Sequence, residues 1–508
     1  MTTQDLTRRR WDAVVVGAGH NGLTAAAYLA LAGRSVVVLE RRDQVGGACT
    51  LEEPWPGYTI SPCAYLAGLL HPRVVEELEL HRHGYELIAL RPEDPYITVP
   101  FEDGTAFTEW IDEQRTVAGL SGEDAQGYDD YVALVARMRD ALRPPTDEDL
   151  WLREPPSREE IEARLGHDEV AIATLFEDSV MTQLERFFSP RVVDALAGQG
   201  VIGTFASPYD AGTASISFHH SSGRLTGYPG AWTYVRGGMG RVSFALRGAA
   251  EAAGAAVATG MPVAAIHPGE GVELEDGARV AARAVVCNAD PRRALALLDG
   301  AAPPELRERV EAVPMESPVL KVNFALSGLP RFPQAAHATR GTVNVTGGAD
   351  ALDRACRLAR AGDVADELWC ELYFQTVADP GVAPDGGHVM SAFCQYVPYR
   401  LAEGTWDGRR DEIADRVEAS IEHFAPGFSP LVVAREPLAP PDVERKIGLT
   451  GGHIFQGECL PEHMWDRRLP YRTGAQGVYL CGAGTHPGGS VIAANGRNAA
   501  MALLADQA

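Results

Sequence analysis

The longest apolar stretch of the chain, residues 14–39, is interrupted by glycines and a few polar positions. The β-branched run at residues 11–16 predicts a buried parallel strand, because such strands are apolar on both faces. The alanine- and leucine-rich residues 23–31 predict a helix, and residues 35–39 predict a second buried strand. The chain therefore begins with a predicted strand–helix–strand unit.

Shorter patterns follow along the chain. Residues 96–101 and 106–110 alternate between apolar and polar side chains around an Asp-Gly turn, which predicts a hairpin. Residues 263–287 contain three apolar runs separated by turns and predict a β-meander. The acidic, proline-bearing residues 144–169 predict a surface excursion with lid-like helices.

A glycine-rich turn, Gly17-Ala18-Gly19-His20-Asn21-Gly22, joins the first predicted strand to its helix. In this GxGxxG spacing Gly17 permits the tight turn, Gly19 lets backbone amides approach a pyrophosphate, and Gly22 lets helix pack on strand. The helix N-terminus adds positive potential for phosphates. Glu40, at the end of the second strand, is placed to accept hydrogen bonds from ribose hydroxyls. These residues, His20 and Asn21 included, predict a dinucleotide site.

A second double-glycine turn follows the acid directly and distinguishes between cofactors. Arg41 stands beside Glu40, and Gly46, Gly47 and Ala48 follow a few residues later. A plain NAD site does not require this second turn, whereas an FAD site uses a second close backbone approach with a basic residue beside the acid. The sequence thus resembles the large class of FAD flavoproteins that includes amine oxidases, phytoene desaturases and disulfide reductases.

Disulfide reduction is excluded within that class. Such reductases place a CxxxxC redox pair just after the double glycine, but five residues beyond Cys49 stands Pro54.

The C-terminal residues form a second strand, glycine turn and helix. Residues 477–481 predict a buried strand and residues 494–504 a helix, with a glycine-rich turn between them. The turn presents backbone amides and a helix N-terminus, which suit a ribityl chain, a pyrophosphate or a flavin carbonyl edge. The predicted contacts are Gly482, Gly489, Ser490 and Val491.

The flavoprotein class implies a discontinuous domain organisation. In that class the β-meander returns to the nucleotide domain, which places a backbone group near Val263 at the adenine. The predicted architecture is α/β: a Rossmann-type FAD-binding domain of the glutathione-reductase/amine-oxidase type, interrupted by a substrate domain with a mixed sheet and a helical lid. The FAD-binding domain is predicted at residues 1–70, 225–300 and 445–508, and the substrate domain at residues 71–224 and 301–444.

Several motifs resemble the phytoene desaturase-like FAD oxidoreductases, and within them most of all the group of pyridine nucleotide-disulfide oxidoreductase domain-containing protein 2. The likeness covers nearly the whole chain. Ser490 and Ala493 stand where the family usually has glycines, which puts the substrate preference in question. The motifs are GAGHNGL at residues 17–23, His219-His220 before GAWTYVRGGMG at 230–240, CNADP at 287–291, KVNFAL at 321–326, YRT at 471–473 and YLCGAGTHPGG at 479–489.

The resemblance implies an FAD-dependent oxidoreductase, phytoene dehydrogenase-like, that moves hydride between a largely apolar substrate and flavin N5 as a desaturase or dehydrogenase. The substrate class implied is carotenoid-like, retinoid-like or another polyene. Such chemistry needs a dry pocket more than acid–base groups. His220 and His486 are the predicted polar groups near the flavin, although His220 is as readily a structural cap and His486 a backbone partner in its turn. No second GxGxxG is present for NADPH, so the predicted electron acceptor is oxygen or a quinone.

Two alternatives stay open. A flavin amine or amino-acid oxidase predicts an aromatic pair facing the flavin, which the C-terminal motif does not offer. A non-catalytic flavin-binding scaffold is compatible with Ser490 and Ala493.

The amino-acid composition limits the classes of partner that the protein is expected to bind. The 508 residues carry 45 basic and 69 acidic side chains, a formal net charge of −24. That charge argues against nucleic acid and against electrostatic docking on anionic lipid. Peripheral apolar contact with a membrane and a homodimer remain predictions. The eight scattered cysteines form no CxxC pair and no metal-ligand cluster, so we expect reduced thiols, no bound metal and a cytoplasmic location.

Overall fold

The strands of the computed structural model, which describes residues 2–507, form two seven-stranded sheets and one two-stranded ribbon. Both large sheets mix parallel and antiparallel pairs. In chain order the strands are β1 (Trp11–Val16), β2 (Val36–Leu39), β3 (Glu52–Trp55), β4 (Tyr58–Ile60), β5 (Pro95–Pro100), β6 (Ala106–Trp110), β7 (Ala256–Ala258), β8 (Val263–His267), β9 (Gly271–Leu274), β10 (Arg279–Cys287), β11 (Val319–Leu326), β12 (Thr342–Val345), β13 (Trp369–Tyr373), β14 (His388–Gln395), β15 (Val432–Leu438) and β16 (Val478–Leu480).

Helices cover both sheets. Many begin at a serine, threonine or aspartate whose side chain accepts a hydrogen bond from the first turn, as Ser121 and Asp290 do. In chain order the helices are α1 (Thr3–Thr7), α2 (His20–Leu31), α3 (Pro72–Glu77), α4 (Glu113–Ala118), α5 (Gly122–Leu142), α6 (Arg158–Arg164), α7 (Glu169–Phe176), α8 (Val180–Glu185), α9 (Pro190–Leu196), α10 (Thr213–Ser221), α11 (Gly240–Ala252), α12 (Pro291–Leu298), α13 (Pro304–Ala312), α14 (Ala349–Arg360), α15 (Gln375–Ala378), α16 (Trp406–Phe424), α17 (Pro440–Ile447) and α18 (Ala494–Asp506).

The first sheet has the order β7-β2-β1-β10-β9-β8, with β16 also paired to β10. Strands β7, β2, β1, β10 and β16 run parallel, while β8, β9 and β10 form an antiparallel meander. Helices α2, α11 and α18 pack together on one face, through a core that includes Leu23, Leu246 and Leu503. The predicted strand–helix–strand unit and the meander are therefore confirmed.

The second sheet has the order β15-β11-β14-β13-β12-β5-β6. One face packs on α16, where Ile413 and Val417 meet Val322 and Phe324. The opposite face lies under helices α5, α8, α9 and α10, and the cavity described below lies between them. The predicted hairpin is confirmed as β5 and β6.

The strands of the first sheet all come from the three ranges predicted for the FAD-binding domain, and those of the second from the two ranges predicted for the substrate domain. The boundaries of these domains stay predictions.

The prediction of a surface excursion is wrong for residues 150–151. Leu150 is fully buried in a cluster with Met138 and Leu142 of α5. Trp151 is 3% exposed because it packs against the C-terminal residues Ile492 and Ala494. Among residues 2–507, none of the helices is both long and apolar enough to span a membrane.

Candidate functional site

A large cavity of about 650 Å³ connects the two sheets. It begins at the glycine turn after β1 and continues between the second sheet and its covering helices. Of the predicted site residues, those that line the cavity are Gly17, Gly19, His20, Asn21, Glu40, Arg41, Gly46, Gly47, Ala48, His220, Val263, Ser490 and Val491.

Two glycine turns meet at the nucleotide end of the cavity. The Gly46 amide donates to the Ala18 carbonyl at 2.8 Å, and Gly19 and Gly46 form a parallel bridge. Gly22 does not line the cavity; a Cβ placed there would lie 2.2 Å from the Gly17 carbonyl oxygen. Gly22 is thus required for close packing of α2 on the turn, as predicted from the motif.

Two buried polar atoms at this turn are suited to bind a polar ligand. Nε2 of His20 and Oδ1 of Asn21 are buried and form no hydrogen bond with any atom of residues 2–507. Burial lowers the pKa of His20 to about 4, so its imidazole is neutral. Because buried polar groups are nearly always satisfied in proteins, the turn fits a polar ligand such as the phosphates of FAD.

The Glu40 carboxylate is held in place by backbone amides. Oε2 accepts from Ala18 at 2.8 Å and Oε1 from Arg42 at 2.9 Å. Each oxygen keeps a lone pair for a ligand hydroxyl, which fits the predicted contact with ribose.

Arg293 is a cavity residue that the sequence analysis missed. Arg293 and Arg41 both line the cavity, and Nε of Arg293 lies 3.4 Å from Oδ2 of Asp290. Burial and the charge of Arg293 lower the pKa of Arg41. In the sequence, Arg293 could have been suspected as a cofactor contact because it follows the CNADP motif by two residues. It lies in the first turn of α12. Two basic side chains at this end of the cavity suit an anionic cofactor.

The C-terminal turn contributes Ser490 and Val491 to the cavity, whereas Gly482 and Gly489 lie behind it. A Cβ on Gly482 would lie 2.5 Å from Oε1 of Gln456, and one on Gly489 would lie 2.4 Å from Cβ of Phe455. These two glycines therefore permit packing, and the prediction that they contact the cofactor is not retained.

The two non-glycine residues of this turn adopt left-handed backbone conformations. Ser490 has φ of 84° and Ala493 has φ of 66°. Such values favour glycine, the residue that the resemblance implies at both positions.

The two predicted histidines have different surroundings. His220 lines the cavity, its Nδ1 lies 2.9 Å from the Ile216 carbonyl oxygen, and burial lowers its pKa to about 4. His486 does not line the cavity, because its Nε2 lies 2.8 Å from the Leu150 carbonyl oxygen and its ring is 1% exposed. The prediction of His486 as a polar group beside the flavin is therefore corrected to a packing role.

We expect His486→Ala to lower the free energy of unfolding by about 1–3 kcal/mol, because the buried Leu150 carbonyl loses its partner. His220→Ala is the control and is expected to lower it less, since the His220 ring bonds only within its own helix. Urea unfolding of both variants checks this; an equal or larger effect of His220→Ala would contradict the assignment.

The part of the cavity over the second sheet, here called the chamber, is lined largely by aromatic side chains. Tyr65 and Tyr373 lie with ring centroids 4.4 Å apart. This aromatic pair comes from elements far from the C-terminal motif, so the sequence analysis did not find it. The other aromatic residues of the chamber are Tyr96, Tyr128, Tyr131, Trp232, Phe393 and Phe455.

Two carboxylates also line the chamber. Glu371 is 3% exposed; its Oε1 accepts from Gln199 at 3.0 Å and its Oε2 from the Tyr373 hydroxyl at 2.6 Å. Glu109 accepts from the Tyr128 hydroxyl at 2.8 Å. Burial raises the pKa of Glu371, and burial raises the pKa of Glu109 to about 7. No sequence motif indicated that Glu109 or Glu371 lines a cavity.

Lys321 is the lysine of the chamber and is 4% exposed. Its Nζ donates to Oδ1 of Asn323 at 2.5 Å and to Oγ of Ser391 at 2.8 Å, and it lies 4.8 Å from the centre of the Tyr65 ring. Burial lowers the pKa of Lys321 to about 7, so above that pH the side chain is a neutral amine. Its two N–H donors are used by these partners, and its lone pair remains to accept from a ligand. The KVNFAL motif contained this lysine, but nothing in the motif indicated that it faces a cavity.

The buried lysine makes stability depend on pH. Burial lowers the pKa of Lys321 from 10.5 to about 7. Between these values the unfolded chain binds the proton and the folded chain does not, so the free energy of unfolding rises with pH. Relative to Lys321→Met, the wild type should gain roughly 2 kcal/mol from about pH 7.5 to about pH 9 in urea unfolding. A flat or falling difference would contradict this.

We also searched residues 2–507 for side chains that could bind a metal ion. Within residues 2–507, no group of three or more His, Cys, Asp and Glu side chains is arranged to hold a metal ion. All eight cysteines are free thiols.

Known flavin-dependent oxidoreductases are similar to this chain over nearly its whole length. The sequence profile described as flavin containing amine oxidoreductase matches residues 22–504. The pyridine nucleotide-disulfide oxidoreductase domain-containing protein 2 of Mus musculus is 36% identical, over 98% of this chain and 94% of its own length. The lycopene-forming phytoene desaturase of Pantoea ananas is 26% identical, over 96% of this chain and 98% of its own length. The predicted resemblance is confirmed.

Solved structures show the fold. Cyclohexylamine oxidase from Brevibacterium oxydans has a TM-score of 0.61 and 18% identity, over 98% of this chain and all of that one. The predicted fold class, a nucleotide-binding domain interrupted by a substrate domain of mixed sheet and helices, is confirmed.

Proposed function

The chain belongs to the family of flavin-containing amine oxidoreductases, and within this family we propose that it is an FAD-dependent dehydrogenase or desaturase of an elongated, largely apolar substrate. FAD is the cofactor, and the orphaned atoms of His20 and Asn21 fit its phosphates. The desaturase relative supports the reaction class.

The continuity of the cavity carries this proposal. One end is formed by the glycine turns, and the other extends over the second sheet from β11 to β6. Neighbouring strands lie about 4.8 Å apart, so the five steps from β11 to β6 span roughly 24 Å. Such a length suits an extended molecule.

When bound, FAD supplies a two-electron acceptor for the cleavage of a C–H bond. The chain's own residues exclude water and orient the substrate. Aromatic rings such as Trp232 and Phe393 bury an apolar body, and the neutral imidazole of His220 adds no charge to that wall. The lone pair of the neutral Lys321 amine provides a proton-accepting group at the end nearer the cofactor.

An amine or amino-acid oxidase is the second candidate. The Tyr65–Tyr373 pair favours it, because an aromatic pair is the feature that this alternative predicted. A non-catalytic flavin-binding scaffold is the third candidate. It predicts that no substrate is oxidised and that the reduced flavin is not reoxidised.

Anaerobic mixing of the FAD-loaded protein with a linear polyene or a simple primary amine separates these candidates. The proposal predicts that the flavin colour bleaches with the polyene and not with benzylamine. Bleaching by benzylamine alone would contradict the proposal in favour of the oxidase. Photoreduced protein that neither air nor a soluble quinone reoxidises would support the scaffold.

A further inference from the structure

We infer that the substrate carries an aldehyde or ketone group at one end, and that Lys321 holds this group as an imine at the end of the chamber nearer the cofactor. A carbonyl carbon is the electrophile that a neutral primary amine attacks. The inference rests on the proposed function and names the substrate class of the same site.

Lysine is almost absent from this chain. Of its 45 lysine and arginine residues, only Lys321 and Lys446 are lysine. Arginine stays protonated in proteins, whereas a buried lysine readily loses its proton and becomes a nucleophile. Of the two lysines, Lys321 lines the cavity.

The two lysines have different charged neighbours. Nζ of Lys446 lies 2.8 Å from Oε1 of Glu436 and 2.5 Å from Oε2 of Glu52. Burial acts to lower the pKa of Lys446, but the hydrogen bonds to these carboxylates outweigh burial and raise it. Within residues 2–507, no carboxylate oxygen lies within 4.0 Å of Nζ of Lys321, and burial lowers its pKa to about 7. At about pH 8, Lys321 is therefore the neutral lysine of the pair.

The hydrogen bonds of Lys321 leave its lone pair for the chamber. Its two partners, Asn323 and Ser391, lie opposite each other on β11 and β14. Nδ2 of Asn323 donates to the Pro62 carbonyl oxygen at 3.2 Å, which fixes Oδ1 as the acceptor for Nζ. Because both partners belong to the sheet, the two N–H groups are directed towards the sheet and the lone pair stays free.

The amine lies close to the cofactor and among aromatic rings. The Ala64 amide donates to the Ala48 carbonyl at 3.1 Å, which places residues 63–65 against the second glycine turn. Nζ of Lys321 lies 4.8 Å from the centre of the Tyr65 ring, and Phe393 is the strand partner of Lys321. Both rings line the chamber. Such surroundings exclude the water that would hydrolyse an imine.

The attachment needs no further reactant. The Lys321 nitrogen forms a bond to the carbonyl carbon, and the carbonyl oxygen leaves as water with the two protons of the amine. A C=N bond replaces the C=O bond, and no electrons are gained or lost. Entry of water after the reaction reverses these steps and restores the amine and the carbonyl group. The apolar body of the substrate then extends from Lys321 along the chamber.

Trapping with sodium cyanoborohydride tests the inference without any turnover, because this reagent reduces an imine to a stable secondary amine. The probe is dodecanal, added to the FAD-loaded protein at about pH 8. Peptide mapping by mass spectrometry should find at least about ten times more dodecyl groups on Lys321 than on Lys446, since only Lys321 is neutral. Excess dodecanol, which occupies the same chamber, should slow the labelling of Lys321 and leave that of the N-terminal amine unchanged.

Lys446→Arg is the matched control, because arginine keeps the charge beside Glu52 and Glu436 and forms no imine. It should leave the labelling of Lys321 at the wild-type level. The inference is overturned by the absence of a dodecyl group on Lys321, by equal labelling of the two lysines, or by labelling of Lys321 that dodecanol does not slow.

The outcomes for the inference and for the proposed function are separable. Flavin that a linear polyene bleaches, in a protein whose Lys321 takes up no dodecyl group, would refute the inference alone. A protein that is labelled on Lys321, but whose flavin neither a polyene nor dodecanal bleaches, would refute the proposed function alone.

Discussion

Gly22→Ala is expected to lower the affinity for FAD by about five- to 150-fold, the equivalent of the roughly 1–3 kcal/mol that overpacking of this kind costs. The new methyl group would lie 2.2 Å from the Gly17 carbonyl oxygen and 3.1 Å from Cβ of Asn288. The carbonyl belongs to the backbone, so α2 must move away from the turn. That movement displaces the amides at Gly17 and Gly19, which line the nucleotide end of the cavity.

Titration of FAD into apoprotein, followed by flavin fluorescence, measures the change. Gly300→Ala is the control, because a Cβ at Gly300 meets no atom within 4 Å. Circular dichroism of both variants shows whether the chain is folded. A folded Gly22→Ala protein with the affinity of the wild type would contradict the placement of the cofactor.

Asp149→Ala is expected to lower the free energy of unfolding by about 3–5 kcal/mol, because it leaves a buried arginine without its partner. Oδ1 of Asp149 accepts from Nε of Arg143 at 2.7 Å, and Oδ2 lies 3.0 Å from Nε2 of His71. The Asp149 and Arg143 side chains are 3% and 2% exposed. Loss of this network should also loosen the turn at Leu150, whose carbonyl holds His486.

The exposed ion pair of Arg73 with Asp147 provides the control. The Asp147 side chain is 92% exposed, so Asp147→Ala should change the unfolding free energy by less than about 1 kcal/mol. Guanidinium unfolding of both variants checks the difference. Equal effects of the two substitutions would contradict the importance of the buried network.

The low pKa of Asp149 makes the free energy of unfolding decrease at acid pH. Burial acts to raise its pKa, but the Arg143 charge and the His71 hydrogen bond outweigh burial and lower the pKa from 3.8 to about 2. The stabilisation is therefore complete above about pH 4 and is lost as the pH falls towards about 2. Asp149→Ala should lose this part of the acid dependence.

The nucleotide end of the site was predictable because its determinants are local. A glycine turn, its flanking strand and helix, and Glu40 occupy one short segment, and each glycine is required by a backbone approach that the motif itself specifies. The roles of Gly482 and Gly489 were not predictable in this way. Their requirement comes from Gln456 and Phe455, which approach only in the folded chain.

The chamber could not be predicted, because its residues meet through the pairing of distant strands. Lys321, Glu371 and Glu109 lie on β11, β13 and β6, and no sequence spacing relates them. Buried glutamates and lysines are rare, yet in the sequence they look like ordinary surface residues. The sequence alone does not show that Ser490 and Ala493 adopt left-handed backbone angles, which favour glycine.

The flavin content of the purified protein shows whether this chain binds FAD. We expect one FAD per chain, released on denaturation and identified by chromatography, or taken up in that ratio when FAD is added to apoprotein. A folded protein that contains no flavin and takes up none from added FAD would refute FAD as the cofactor.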